Sequence, residues 1–301
     1  MRHAPQHNPR KRKVRTMTAG KKRHKTITIR ILCGSAVFLY AAFFPGCGER
    51  SSKGSETVLK PGQKVVTVTL PGGEKLDFVK VDAGTFRMSA PDGDNDSDEV
   101  AHLAELKRDY YIGKTEVTQA QWKAVTGTNP SKFKGNTLPV ENVSWNEAMD
   151  FCEKLNSAGK APDGWKFTLP TETQWEYAAR GGDKSEGWIY SGSKRVGKVA
   201  WHYGNSGGRT HAVGKKKANE LGLYDMSGNV WEWCLDEWSK KSDGLNAGFT
   251  GESFQEGSDR AIRGGSWYGS ARRSRVSNRS HGSPRYRDSH IGFRLALVPV
   301  L

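Results

Sequence analysis

The sequence predicts an α+β domain in which regular secondary structure is concentrated in the first half. Three observations predict it. Residues 65–88 carry short runs rich in β-branched residues, separated by Gly/Pro turns. Between Thr118 and Ala179, three segments each pair an N-cap residue with apolar positions at helical spacing. Beyond Gly181 the periodicity nearly vanishes, yet Trp188, Trp201, Trp231, Trp233, Trp238 and Trp267 follow. So many large rings are not left in water, so that stretch is packed but irregular. Irregular buried backbone must satisfy its polar groups with side chains, water or a metal.

The charge is unevenly placed. The 301-residue chain holds 47 Lys/Arg and 32 Asp/Glu. Residues 1–60 hold fourteen of the basic residues and two of the acids (Glu49 and Glu56), leaving 33 basic against 30 acidic for residues 61–301. The excess therefore belongs to the N-terminus, which argues against nucleic acid as a partner of the folded part. Arg10 to Arg30 is followed by the uncharged run Ile31–Phe44, then Pro45-Gly46-Cys47. A basic region, an apolar core and a small residue before the break form an export signal. Fourteen residues rise only about 21 Å, short of a hydrocarbon core of about 30 Å. Residues 1–47 thus read as a signal peptide or N-terminal anchor. Phe44-Pro45-Gly46-Cys47 resembles a lipobox, with Cys47 as the lipidated residue; an uncleaved short anchor is the alternative. Either places the domain outside the cytoplasm, in the cell envelope, membrane-anchored or periplasmic. Residues 48–64, polar with Gly, Ser and Pro, read as a flexible tether, and residues 65–301 as one domain.

Within that domain, Val65–Leu70 and Leu76–Val81 flank Pro71-Gly72-Gly73 and read as a hairpin, with Thr85–Met88 as a third strand. Asp92, Asp94, Asp96 and Asp98 alternate like the start of an EF-hand. Ser97 stands where that loop needs Gly, and Leu103 where it needs Glu, so a solvated acidic loop is the reading. Thr118 with Gln121, and Ser144 with Glu147, form capping-box patterns ahead of helices. Thr171 caps a third helix carrying Trp175, Ala178 and Ala179. Cys152 falls on the apolar stripe of the second helix; with Cys234 it either pairs in an oxidising compartment or stays a buried thiol. His202, His211, His281 and His290 lack metal-ligand spacing and read as packing or surface residues.

Seven ordered motifs then carry a resemblance. They are Ala83–Met88, Lys114-Thr115-Glu116-Val117-Thr118, Val143–Ala148, Leu169–Gly182, Gly222–Trp233, Arg263-Gly264-Gly265-Ser266-Trp267 and Ile291-Gly292-Phe293-Arg294. Together they resemble the formylglycine-generating enzyme, or sulfatase-modifying factor, family over about residues 75–298. The resemblance implies a C-type-lectin-like fold with little regular secondary structure. It also implies, for oxidising members, two copper(I)-binding cysteines shortly after the Gly-Gly-Ser-aromatic motif. Soft thiolates suit that metal. Here those positions fall at Gly269 and near Ser274, and no cysteine follows Cys234. Copper is therefore not expected, although Trp231 and Ser266 match residues of the family's oxygen pocket.

The resemblance further implies structural calcium at Asp225, Gly228, Val230 and Glu232, two carboxylates and two carbonyls, which are hard donors. A second family calcium site falls near residues 201–219, where matching carboxylates are not evident. Arginines crowd the C-terminal third. Arg263 and Arg294 are motif positions and read as structural. Arg272, Arg273 and Arg275, with Trp267 and Tyr268, are the candidates for a face that holds a partner protein, a glycan or an anionic ligand. Fold does not choose an activity. The leading expectation is an exported, membrane-tethered accessory or binding module. The alternative is an oxidoreductase of the same family, with a different metal arrangement, acting on a protein or small-molecule thiol.

Overall fold

A computed structural model describes residues 59–60, 62–89, 98–240 and 258–300. The export segment with Cys47, most of the tether and the acidic loop except Asp98 and Glu99 lie outside the described residues; Glu99 is buried, not solvated.

The hairpin forms where its β-branched runs predict it. Strand β1 (Val65–Thr69) pairs antiparallel with β2 (Lys75–Val81), with Val66 opposite Phe78 and Val68 opposite Leu76. Alternation buries Val66 and Val68 and exposes Val65. Strand β3 (Gly84–Met88) pairs with β4 (His102–Leu106) as a separate two-stranded sheet. Strands β5 (Tyr110–Gly113), β6 (Trp165–Thr168) and β11 (Ala296–Pro299) complete a five-stranded sheet in the order β1-β2-β5-β11-β6. Among the described residues, the last strand thus lies inside the sheet that the first strand begins.

All three helices carry the caps their sequences predict. Helix α1 (Gln119–Thr126) is closed by Thr118 and Gln121, α2 (Trp145–Ser157) by Ser144 and Glu147, and α3 (Glu172–Ala179) by Thr171 and Gln174. Each box satisfies two backbone donors that would otherwise lack partners. Between residues 182 and 230 the only α-helix among the described residues is one turn, α4 (Val196–Val199). A four-stranded sheet follows in the order β10-β7-β8-β9: β7 (Trp231–Glu237), β8 (Arg260–Arg263), β9 (Arg279–Gly282) and β10 (Ile291–Gly292).

Two apolar cores result. In one, Trp122 stacks on Phe151 with centroids 5.3 Å apart, and Phe293 meets both edge-on. The other gathers Trp175, Tyr110, Ile112 and Met226. Cys152 lies in the first core and Cys234 in the second; both are free, buried thiols, and burial pushes both pKa values up.

Buried ion pairs stitch these layers together. Arg294 donates from Nε and Nη2 to Glu232 at 2.6 and 2.7 Å, from Nη1 to the Gly113 carbonyl and from Nη2 to that of Tyr224, both at 2.9 Å. Trp175 Nε1 adds a bond to Glu232 at 2.7 Å. Arg263 bridges Glu172 and Glu176, and Arg279 reaches Glu172 at 2.6 Å. Removing one partner of such a pair strands a buried charge. Arg294→Met should therefore cost about 3–5 kcal/mol in urea melts. Adding Glu232→Gln should recover part of that loss. A loss below about 1 kcal/mol would contradict the role given to the pair.

Candidate functional site

The site begins where β8 ends. Gly264 and Gly265 follow Arg263 with φ of 98° and 76°, a region that favours glycine. A Cβ at Gly265 would stand 2.6 Å from the carbonyl oxygen of Arg273, so the chain passes tight against the 3-10 turn Ala271–Ser274. Trp267 is then fixed from three directions. Its N–H donates to the Asn229 carbonyl (2.7 Å), its Nε1 to Ser289 O (2.9 Å), and its carbonyl accepts from Ser206 Oγ (2.8 Å). With Trp267 buried and held, the next side chain, Tyr268, faces solvent at 63% exposure. Tyr203 N–H donates to the Gly269 carbonyl at 2.8 Å, which brings a second tyrosine, 70% exposed, to the same place.

These rings form one connected surface. Tyr268 lies 5.4 Å from Trp267, 6.2 Å from His290 and 6.5 Å from Tyr203, the two tyrosines meeting at 84°. Phe133 meets Trp267 edge-on at 5.3 Å, and Lys132 and Arg209 lie over the Phe133 ring. His290 Nδ1 contacts Asp288 at 2.6 Å. Burial works against ionisation of Asp288, but His290 and the hydroxyls of Ser289 and Tyr286 hold its pKa below the usual carboxylate range.

The sequence candidates divide on this surface. Trp231, Ser266 and Trp267 are buried beneath it, and Tyr268, Arg272 and Arg273 are exposed. Arg275 is a correction. It is 2% exposed and forks onto Glu99 at 2.8 and 3.0 Å, so it belongs to the interior and offers nothing to a ligand. Gly269 is half-buried and Ser274 is buried, and the described cysteines lie in the cores. The histidines form no metal centre among the described residues: His211 stacks on Trp201 at 3.7 Å, and His281 contacts Asp259.

The anticipated calcium loop is a buried acidic cluster. Asp225 accepts from Gly214 N–H through Oδ2, while its buried Oδ1 has no hydrogen-bond partner. Glu116 accepts from Asn229 Nδ2 (2.7 Å) and Val230 N–H (3.1 Å). Burial, with Asp225 and Glu232 close by, pushes the Glu116 pKa well above its ordinary value. Burial likewise raises Asp225 to about 6. Three carboxylates thus share Arg294, and the surplus negative charge calls for protons or a cation. Glu232 does not stand free beside Asp225, because Arg294 and Trp175 engage it; its Oε1 accepts one bond and keeps a lone pair. No three His, Cys, Asp or Glu side chains among the described residues form a metal-holding group. The cluster fits a hard cation only if the carbonyls of Gly228 and Val230 complete the donor set.

Sequence reading missed Tyr203 and Phe133, which lie in no motif. It also missed Glu141, fully buried behind the aromatic surface. Glu141 Oε1 accepts from Phe133 N–H at 2.8 Å, its Oε2 has no partner, and its N–H donates to Ser131 Oγ. Burial raises its pKa to about 7. The available signal is an acid between Val140 and Val143, both of which the fold buries.

Residues 67–298 match the sulfatase-modifying factor enzyme 1-like domain. The chain belongs to that family. It is 33% identical to the chaperone protein LppX of Paenibacillus barcinonensis over 287 residues, covering 80% of this chain and 90% of the relative. It is 28% identical to the bovine inactive C-alpha-formylglycine-generating enzyme 2 over 233 residues, covering 72% and 69%. Among solved structures, Treponema denticola variable protein 1 superposes with a TM-score of 0.67 at 33% identity, over 78% of this chain and 99% of that one. The α+β, C-type-lectin-like fold class is that of the family.

Glu141 sets a pH dependence. A carboxyl whose folded pKa is raised holds its proton more tightly folded than unfolded, so its contribution weakens as pH rises from about 4.5 to 7. Glu141→Gln removes this effect. The variant should match or fall below the parent in urea melts at pH 5. At pH 8 it should gain on the order of 2 kcal/mol relative to that comparison. Parallel pH profiles would contradict the assignment.

Proposed function

We propose that this chain is an exported, membrane-tethered accessory module that holds a partner polypeptide, in the manner of a chaperone, and does not oxidise cysteine to formylglycine. The carrying observation is the mouth of the family pocket. No cysteine follows the Gly-Gly-Ser-Trp motif at residues 264–267, and the exposed rings of Tyr203 and Tyr268 stand beside it. Without two soft ligands, copper(I) has no grip at this point. Exposed aromatic rings fixed by a rigid backbone supply contact area at low entropic cost. Support from outside the site comes from the name of the LppX relative and from an inactive relative in the same family. Export and tethering are supported by the basic and apolar leader with Cys47.

The test has two arms, both on the full chain. Incubated with copper(I), oxygen and a Cys-x-Pro-x-Arg peptide, it should yield no aldehyde above background. Added in stoichiometric amounts to a chemically unfolded secreted enzyme diluted into buffer, it should suppress aggregation. Catalytic aldehyde formation would overturn the reading, as would failure to suppress aggregation of any such client.

Calcium is the cofactor proposed for the fold. Asp225, the carbonyls of Gly228 and Val230, and Glu232 Oε1 would hold it. It would supply structural charge neutralisation for the cluster around Glu116. Excess calcium over chelator should raise the Tm by several degrees, and Asp225→Ala should abolish the increment. An identical melt with and without calcium would count against it.

A further inference from the structure

If the 266–273 surface holds a polypeptide, as proposed above, the chemistry of that polypeptide is still open, and the inference drawn from the surface rests on that functional reading. We infer that the face takes an acidic, extended stretch of polypeptide: an apolar or aromatic side chain enters the corner between Tyr203 and Tyr268, and carboxylates pair with Lys132, Arg209 and Arg273.

Shape argues for a side chain rather than a sugar. The Tyr203 and Tyr268 rings meet at 84° with centroids 6.5 Å apart. Two rings at a right angle frame a corner, which receives an inserted side chain by edge and face contacts. They do not provide the one flat wall on which a pyranose ring stacks. The floor of the corner is rigid, because Trp267 is tied through its N–H, its indole and its carbonyl. Binding there costs little reorganisation.

Charge argues for acid. Lys132 and Arg209 lie 5.4 and 5.9 Å from the Phe133 ring centre, and Phe133 abuts Trp267. The Arg273 Cβ passes 3.4 Å from the point where a Gly269 side chain would begin. Lys132, Arg209 and Arg273 are exposed, and none makes an ion pair with a described residue. Asp288 at this surface is already engaged by His290, Ser289 and Tyr286, and Glu141, on which the Lys132 charge also acts, is buried behind Phe133. The domain as a whole is nearly balanced in charge, but the fold commits Arg263, Arg275, Arg279 and Arg294 to buried acids. Lys132, Arg209 and Arg273 thus place positive charge beside the aromatic corner. Complementary charge of this kind sets partner preference and speeds encounter.

The test titrates the full chain, in detergent, against two fluorescein-labelled unstructured peptides of equal length and equal Tyr/Leu content. One is rich in Glu/Asp and the other in Lys. The acidic peptide should bind about tenfold or more tightly at low salt, with the gap closing as salt rises. Tyr268→Ala should weaken it about tenfold. Lys132→Glu with Arg273→Glu should reverse the preference; these positions are exposed, and circular dichroism checks that the variants fold. Equal affinity for both peptides overturns the acidic assignment and leaves the polypeptide reading standing. Unchanged binding in the variants overturns the placement on this face. If oligogalacturonate binds and neither peptide does, the occupant is an acidic glycan and the inference fails. Loss of all peptide binding together with no suppression of aggregation sinks the functional reading itself.

Discussion

The guanidinium of Arg294, locked against Glu232 in a site with no solvent exposure, is the constraint on which the rest of the domain depends. One planar group ties the end of β5, the 224 turn and β7 together, with the α3 indole of Trp175 on the same carboxylate. Arg can do this because its fork of donors is fixed and always charged. It lies between β10 and β11, the last strands among the described residues, so the two larger sheets are joined at the point where the polypeptide passes from one to the other. A long loop region between residues 182 and 230 can then remain irregular, because its ends are anchored by charge and hydrogen bonds instead of by sheet.

The same distribution of charge shapes the site. Four arginines of the C-terminal third, Arg263, Arg275, Arg279 and Arg294, are taken up by buried acids, while Arg209 and Arg273 stand with Lys132 on the aromatic surface. Around Asp225 and Glu116 the excess has the other sign, and carboxylates outnumber the guanidinium they share. On the proposal above a cation would relieve that excess, and the neighbouring region, across the Trp267 backbone, presents rings and positive charge to solvent. On the proposed reading, the lack of a thiolate pair after Trp267 separates this arrangement from copper chemistry, while the tight approach at Gly265 keeps the scaffold in place.

Legibility in the sequence followed local signals. The three helices were readable from Thr118, Ser144 and Thr171, because a capping box is a short-range device. The first hairpin was readable from alternation and a Pro-Gly-Gly turn. Strand β5 was not, because all four of its residues are buried and alternation is lost. Strand β8 reads Arg-Ala-Ile-Arg, which looks solvent-facing; both arginines are buried, and the acids that hold Arg263 lie far away in sequence. For the same reason Arg275 resembled a surface ligand until Glu99, 176 residues distant, was placed against it. The family motifs located Ser266 and Trp267, and Tyr268 directly follows them. Tyr203 and Phe133 reach the site only through contacts that no local pattern encodes.

The mouth of a family pocket, stripped of its metal-binding sulfurs, has on this proposal become a surface that grips another chain. Hydrogen exchange of the full-length protein, alone and with a captured unfolded polypeptide, tests this most directly. The expected result is slowed exchange at 132–135, 203–209 and 268–273, with the amides around Arg294 and Glu232 unchanged. Protection confined to the β3–β4 hairpin, or none at any described segment, would contradict it.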